Sequence, residues 1–219
     1  MTGRFQDRSH AGQLLARRLK KYANRSDVIV LGLPRGGVPV ASEVAMELNA
    51  PLDVFIVRKL GVPGHRELAM GAIASGGVRV LNDAVVDALH ISKRTIDAVA
   101  QEEEAELHRR ELAYRGHAAA PDVNGQIVIV VDDGIATGST MRAALRALRR
   151  QDPARIIMAV PTCATSSYID LQAEADEAIA LMIPEDFIAV SQWYEDFSQT
   201  TDEEVTALLE QAHHTTVAA

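Results

Sequence analysis

Two adjacent carboxylates, Asp132 and Asp133, end an apolar run in the stretch VIVVDDGIATGST, positions 128–140. Neighbouring acids repel each other, so the pair needs hydroxyl donors, a cation or a divalent metal to face. An ionised aspartate only accepts hydrogen bonds, and two of them suit a vicinal diol. Magnesium takes the same oxygen ligands without a dedicated protein cage. A few residues on, Ala136, Thr137, Gly138, Ser139 and Thr140 offer backbone N–H groups and three hydroxyls at the head of the helical pattern MRAALRALRR. That is a phosphate cradle by geometry and by dipole. Acids for a diol beside a cradle for a phosphate suit a ribose 5-phosphate.

Such groups must be held by a strand and a helix, and the sequence supplies both. The β-branched run before Asp132 reads as a buried strand of a parallel sheet, which puts the two acids at its C-terminal edge, where open α/β sheets bind ligands. The same order occurs earlier: VIVLGL, the glycine-bearing PRGG, then the helical VPVASEVAMELN, over residues 28–48. A second strand, LDVFIV, follows. In RKLGVPGHREL, Gly61, Pro63 and Gly64 predict a mobile loop carrying Arg58, Lys59 and Arg66. AMGAIASGGVRVLN predicts two strands turning at Ser75 to Gly77, and residues 84–116 predict a helical insertion. RIIMAVP and EAIALMI are further strands separated by a short helix. AGQLLARRLKKYA, after a short polar arm, places Leu14, Leu15 and Leu19 on one face of a surface helix. Alternating strands and helices give an α/β fold with a mostly parallel sheet covered on both faces.

The 219 residues are within reach of one domain, with a core over about 27–197 and a helical tail over about 201–214 that Thr201 or Asp202 would cap. The formal charge of −8 argues against a broad nucleic-acid footprint. The single Cys163 makes neither an intrachain disulfide nor a Cys-rich zinc site, and it reads as packing. The polar start MTGRFQDRSHAG lacks a signal peptide's apolar core, and no apolar run approaches the roughly 20 residues of a membrane span. The expected address is the reducing cytoplasm, away from membranes.

The block at 128–140 resembles the 5-phosphoribosyl 1-diphosphate (PRPP) signature of type I phosphoribosyltransferases, and all thirteen positions fit. The resemblance implies that family's fold, an α/β mostly parallel sheet flanked by helices with a small hood region. It implies that Asp132 and Asp133 contact the ribose hydroxyls and that Ala136 to Thr140 hold the 5-phosphate. Magnesium would be held mainly by PRPP, with Asp132 or Asp133 as candidate protein contacts. LPRGGVP is similar to the family's diphosphate loop, which gives Arg35, Gly36 and Gly37 that role and makes the Pro34–Arg35 bond a candidate cis peptide. RKLGVPGH resembles the mobile catalytic loop, so that Arg58 and Lys59 would meet the leaving diphosphate. His65, Arg66 and Glu67 read as an exposed polar turn, with Glu67 as the alternative proton acceptor.

Other features leave alternatives open. Trp193 and Tyr194, with Phe197, either stack a planar acceptor base or, as aromatics more often do, anchor the C-terminal segment in the core. A less studied branch of the family combines PRGG, an RRE helix and a WYxDF tail. There Arg109, Arg110, Tyr114 and Arg115 either reach the site or form a solvated helix face. Ala136 stands where enzymes of 6-oxopurines usually carry an acid, so hypoxanthine and guanine lose support and the acceptor stays unnamed. The activity implied is transfer of the 5-phosphoribosyl group from PRPP to a nitrogenous acceptor; a PRPP-sensing regulator is the alternative, and a homodimer is an expectation by analogy. A phosphohydrolase lacks its Asp-x-Asp, and a dinucleotide enzyme lacks its G-x-G-x-x-G.

Overall fold

The computed structural model describes residues 3–116 and 118–217. Five parallel strands form the main sheet: β1 (Val28–Gly32), β2 (Leu52–Val54), β6 (Ile127–Val131), β7 (Arg155–Thr162) and β8 (Glu177–Met182), in the order β2-β1-β6-β7-β8. Every residue of β1 and β6 is buried, as uninterrupted apolar runs require when both faces are covered. Val28, Val30, Ile129 and Val131 face one core with helices α1 (Arg8–Leu19), α2 (Gly37–Leu48) and α7 (Asp202–Val217). Ile29, Leu31, Val128 and Val130 face the other, against α5 (Ser139–Arg149) and α6 (Thr165–Leu171). On α1, Leu15 and Leu19 are fully buried, as the sequence spacing predicts.

From β1 the chain winds through α2 to β2, whereas from β6 it winds through α5 and α6 to β7 and β8 on the opposite side. The order reverses between β1 and β6, and a crevice at the carboxyl ends of such strands is where an open sheet receives its ligand. Both motif loops emerge there.

LDVFIV is divided between two sheets. β2 ends at Val54, and β3 (Val57–Val62) pairs antiparallel with β4 (His65–Ala74), which pairs with β5 (Val78–Leu81). The stretch expected as a mobile loop is therefore a hairpin. Gly64, at φ +82°, sits in its turn, and Gly61 lies at a break in register, so its glycines mark a turn and a bulge within regular pairing. Gly76 and Gly77, both at positive φ, make the turn expected after Ser75.

The 84–116 region is helical. It comprises α3 (Asp83–Ala88) and the 23-residue α4 (Lys93–Arg115), which Ser92 caps through Thr95 N–H. The guanidinium of Arg115, 3% exposed, donates through Nε to Asp53 Oδ1 at 2.7 Å and through Nη2 to the Val54 carbonyl, tying the end of α4 to β2. Thr201 accepts from Glu204 N–H and caps α7, whose Val205 and Leu209 are buried. The tail is thus a packed helix. No helix among the described residues is long and apolar enough to cross a membrane.

Candidate functional site

The loops after β1 and β6 touch. Leu33 N–H donates to the Val131 carbonyl at 2.8 Å, and the Pro34–Arg35 peptide is cis, as the resemblance predicts. A β-carbon on Gly36 would fall 2.0 Å from Asp133 Oδ2; one on Gly37 would fall 2.7 Å from the Val131 carbonyl oxygen and 2.9 Å from Asp132 Cα. Two motifs almost a hundred residues apart in sequence thus fit against each other only because one of them has no side chains at the contact.

Asp132 and Asp133 sit at this junction, each partly exposed. Asp132 Oδ1 accepts from Asp133 N–H at 2.9 Å. Burial, reinforced by the negative charge of Asp133, holds the Asp132 carboxyl well above the usual carboxylate range. Burial raises Asp133 as well, while the Arg8 guanidinium opposes it from 2.9 Å. Two carboxylates short of compensating charge suit hydroxyl donors or a divalent cation. They are the oxygen donors magnesium accepts when phosphate and water oxygens complete its shell. Among the described residues, no group of three or more His, Cys, Asp and Glu could hold a metal.

Beyond the pair, Gly138 adopts φ +72° with Leu171 Cδ1 2.9 Å from where its β-carbon would be. It starts α5, whose first intrahelical bond runs from Arg142 N–H to the Gly138 carbonyl at 2.8 Å. Ala136, Thr137, Ser139 and Thr140 are exposed around this helix start, with Thr137 Oγ1 and Ser139 Oγ 3.4 Å apart. The unpaired N–H groups of a helix start and these hydroxyls are the kind of donors to which a phosphate can bind. Arg35 is half-buried in the first loop, close enough to Tyr114 to act on its ionisation.

The two cations of the RKLG stretch are separated by the strand that carries them. Arg58 turns to α4 and pairs with Glu103 at 2.7 Å, whereas Lys59 lines a cavity of about 300 Å³ together with Ser139, Thr140 and Arg142. Successive strand residues point to opposite faces, so the expectation that both act together from a mobile loop is corrected. His65 is exposed, and the side chains of Arg66 and Glu67 lie outside the described residues.

Of the two aromatics, Tyr194 takes the core-anchor alternative, while Trp193 stays partly exposed. Tyr194 is 2% exposed, its ring lies 5.4 Å from Phe5 and 5.0 Å from Phe197, and its hydroxyl donates to the Asp133 carbonyl at 2.6 Å. It braces the carboxylate loop from inside the core and cannot present a face to a base. Trp193 stacks on Phe187 at 6.3 Å, with its indole N–H buried. Val190, from the same segment, packs against Gly134 in the loop after β6. Arg109 and Arg110 pair with Glu106, Tyr114 donates to Asp202, and Arg115 serves β2, so the RRE helix spends these groups on packing and surface pairs. Cys163 is fully buried, and burial pushes its thiol up to about 12, consistent with a packing role.

Arg8 escaped the sequence reading. It is the first residue of α1, next to the capping Asp7, and only the aromatic Phe5 in an otherwise polar arm hints that this segment docks.

The model of the phosphoribosyl transferase domain matches residues 7–190. The chain belongs to that family. A Mycobacterium tuberculosis H37Rv protein, "Putative phosphoribosyl transferase Rv0571c", is 47% identical over 209 residues, covering 95% of this chain and 47% of that one. Its counterpart in strain CDC 1551 / Oshkosh gives the same figures. The chain spans about half the length of these curated relatives. The crystal structure of TT1426 from Thermus thermophilus matches with a TM-score of 0.86 at 41% identity, over 95% of this chain and 98% of that one. The fold of TT1426 is therefore shared along nearly the whole chain.

Proposed function

We propose that the protein transfers the 5-phosphoribosyl group of PRPP to a nitrogenous acceptor with release of diphosphate. The observation that carries this reading is the meeting of the PRGG and DDGIATGST loops at the reversal of strand order. The two acids that would accept from a diol lie there beside the glycines of the first loop, and the helix start that would hold a phosphate follows them in the chain, which supports the reading.

In this reading Ala136 to Thr140 bind the 5-phosphate, Asp132 and Asp133 accept from the ribose hydroxyls, and the backbone at Gly36 and Gly37, with Arg35, receives the diphosphate. Lys59 is the cation of the RKLG stretch best placed to approach the same ligand. The C1–O bond breaks with its electron pair leaving on diphosphate, the acceptor nitrogen's lone pair forms the new C1–N bond, and the acceptor's proton passes to solvent. Magnesium would be held mainly by PRPP, with Asp132 or Asp133 as its protein contact, and would spread the leaving group's charge. Positioning and preorganised electrostatics supply most of the rate gain, since the mechanism uses no covalent nucleophile. Ala136 leaves no acid at that position for a 6-oxopurine, and the acceptor class extends no further than a nitrogen nucleophile. The acidic chain and the reading of a cytoplasmic protein without nucleic-acid or membrane partners go with small-molecule chemistry.

A second reading, a PRPP-binding regulator without turnover, draws support from the engagement of Arg58 by Glu103, which withdraws one expected diphosphate contact. Isothermal titration with PRPP and magnesium, on wild type and the Asp132→Asn/Asp133→Asn variant, tests both. Saturable binding by wild type alone is expected. Diphosphate release on adding candidate nitrogenous acceptors then separates enzyme from sensor, and absence of binding by wild type would sink both.

A further inference from the structure

The N-terminal arm and the segment after Trp193 meet beside the acid pair. Phe5 N–H donates to the Trp193 carbonyl, Glu195 N–H to the Phe5 carbonyl and Asp196 N–H to the Gln6 carbonyl, each at 2.8 Å. This short ladder delivers Arg8 to a defined seat. Its Nε donates to Asp133 Oδ2 at 2.9 Å, its Nη1 to the Ser198 carbonyl at 2.7 Å, and its carbon centre lies 4.0 Å from the centre of the Phe197 ring. An exposed ion pair contributes little and samples many geometries. Here the two side chains are 12% and 14% exposed, and the planar guanidinium is fixed on three sides, which a fork of rigid donors permits. The remaining side is closed by the diphosphate-loop glycine: a β-carbon on Gly36 would lie 3.3 Å from Arg8 Nε. Below, the Tyr194 hydroxyl holds the Asp133 carbonyl. Arg8 engages Oδ2, which leaves a sugar hydroxyl to be received at Oδ1.

We propose that Arg8 is a positioning residue of the ribose site: braced by Phe197 and Ser198, it fixes the Asp133 carboxylate in the orientation that accepts the sugar hydroxyls. The N-terminal arm and the segment after Trp193 thereby belong to the binding machinery. This inference rests on the PRPP reading above. It concerns a group that acts through Asp133 and needs no contact of its own with the ligand.

The test is titration of PRPP with magnesium into wild type, Arg8→Gln and Arg8→Lys, with thermal melting of each. Arg8→Gln leaves Asp133 without its cation and should melt below wild type, and at a temperature where both are folded it should bind PRPP about tenfold or more weakly, while Arg8→Lys, which keeps the charge at Asp133 but not the planar fork, should bind between the two. Arg8→Gln binding like wild type would overturn the inference alone, and so would a loss that lysine does not relieve. Should Arg8→Gln fail to fold, Arg8→Lys decides: weaker PRPP binding by a folded Arg8→Lys supports the inference, and binding equal to wild type overturns it. Failure of wild type to bind PRPP would remove the underlying reading, and this one with it.

Discussion

Asp133 Oδ2 occupies the space that a β-carbon on Gly36 would need, with 2.0 Å between them. The backbone of Gly36 is at φ −60° and ψ −29°, which any residue can adopt, so the glycine is required by proximity and not by torsion. The obstructing atom is the end of a side chain, which can swing aside. Gly36→Ala is therefore expected to fold while turning Asp133 away from its place, and to weaken PRPP binding by about tenfold or more. Titration alongside a melting curve checks this; an alanine variant that binds normally would detach the two loops functionally.

Gly37 makes a harder contact. Its neighbours, the Val131 carbonyl and Asp132 Cα, are backbone atoms of a central strand end and cannot rotate away. Gly37→Ala forces the two loops apart, and the expected cost is about 1–3 kcal/mol, the range of overpacking in a filled interior. Chemical denaturation of the two alanine variants should rank Gly37→Ala as clearly the less stable; equal stability would refute the distinction between side-chain and backbone obstruction.

The contrast between these loops and the hairpin explains what could be read in the chain. β1 and β6 were legible because strands covered on both faces must be unbroken runs such as VIVLG and IVIVV, and their loops were legible because few residue types fit so close a junction. In RKLGVPGH the same glycine and proline punctuation is compatible with an irregular loop or with a turn and a bulge. Only pairing with β4, a long-range choice, decides. That choice also sends Arg58 and Lys59 to opposite faces. Tyr194 was ambiguous because an aromatic with a hydroxyl serves a core or a ligand equally well until its partner, here the Asp133 carbonyl, is known. Arg8 was invisible for the same reason: its partner lies 125 positions away.

Arg115 and Asp53 illustrate a second buried pair, one with a structural role. The arginine side chain is 3% exposed and the aspartate 11%, and Asp53 Oδ1 also accepts from Val54 N–H at 2.6 Å. Replacing Arg115 by methionine keeps most of the volume but leaves the carboxylate buried without its cation. Breaking such a pair from one side costs about 3–5 kcal/mol. Urea denaturation of Arg115→Met should show that loss, and Asp53→Asn combined with it should recover part of the stability. A single variant as stable as wild type would mean that α4 is held to β2 by its apolar contacts alone.

Tyr114 gives the fold an alkaline limit. It is 5% exposed and donates to Asp202 Oδ1 at 2.5 Å across the junction of α4 and α7. Burial, followed by that hydrogen bond, pushes its hydroxyl from the ordinary value of 10 up to about 12. The folded state thus holds the phenolic proton more tightly than the unfolded chain. The associated stability is fully present below pH 10 and is lost as pH rises from 10 through about 12. Tyr22 and Tyr194 shift in the same direction, mainly through burial, and add to the decline. Tyr114→Phe should cost about 1 kcal/mol at neutral pH through the lost hydrogen bond, and its stability should then fall less steeply with alkalinity than that of wild type. Urea midpoints for both proteins between neutral pH and pH 11 measure the two slopes, and parallel curves would remove Tyr114 from the account.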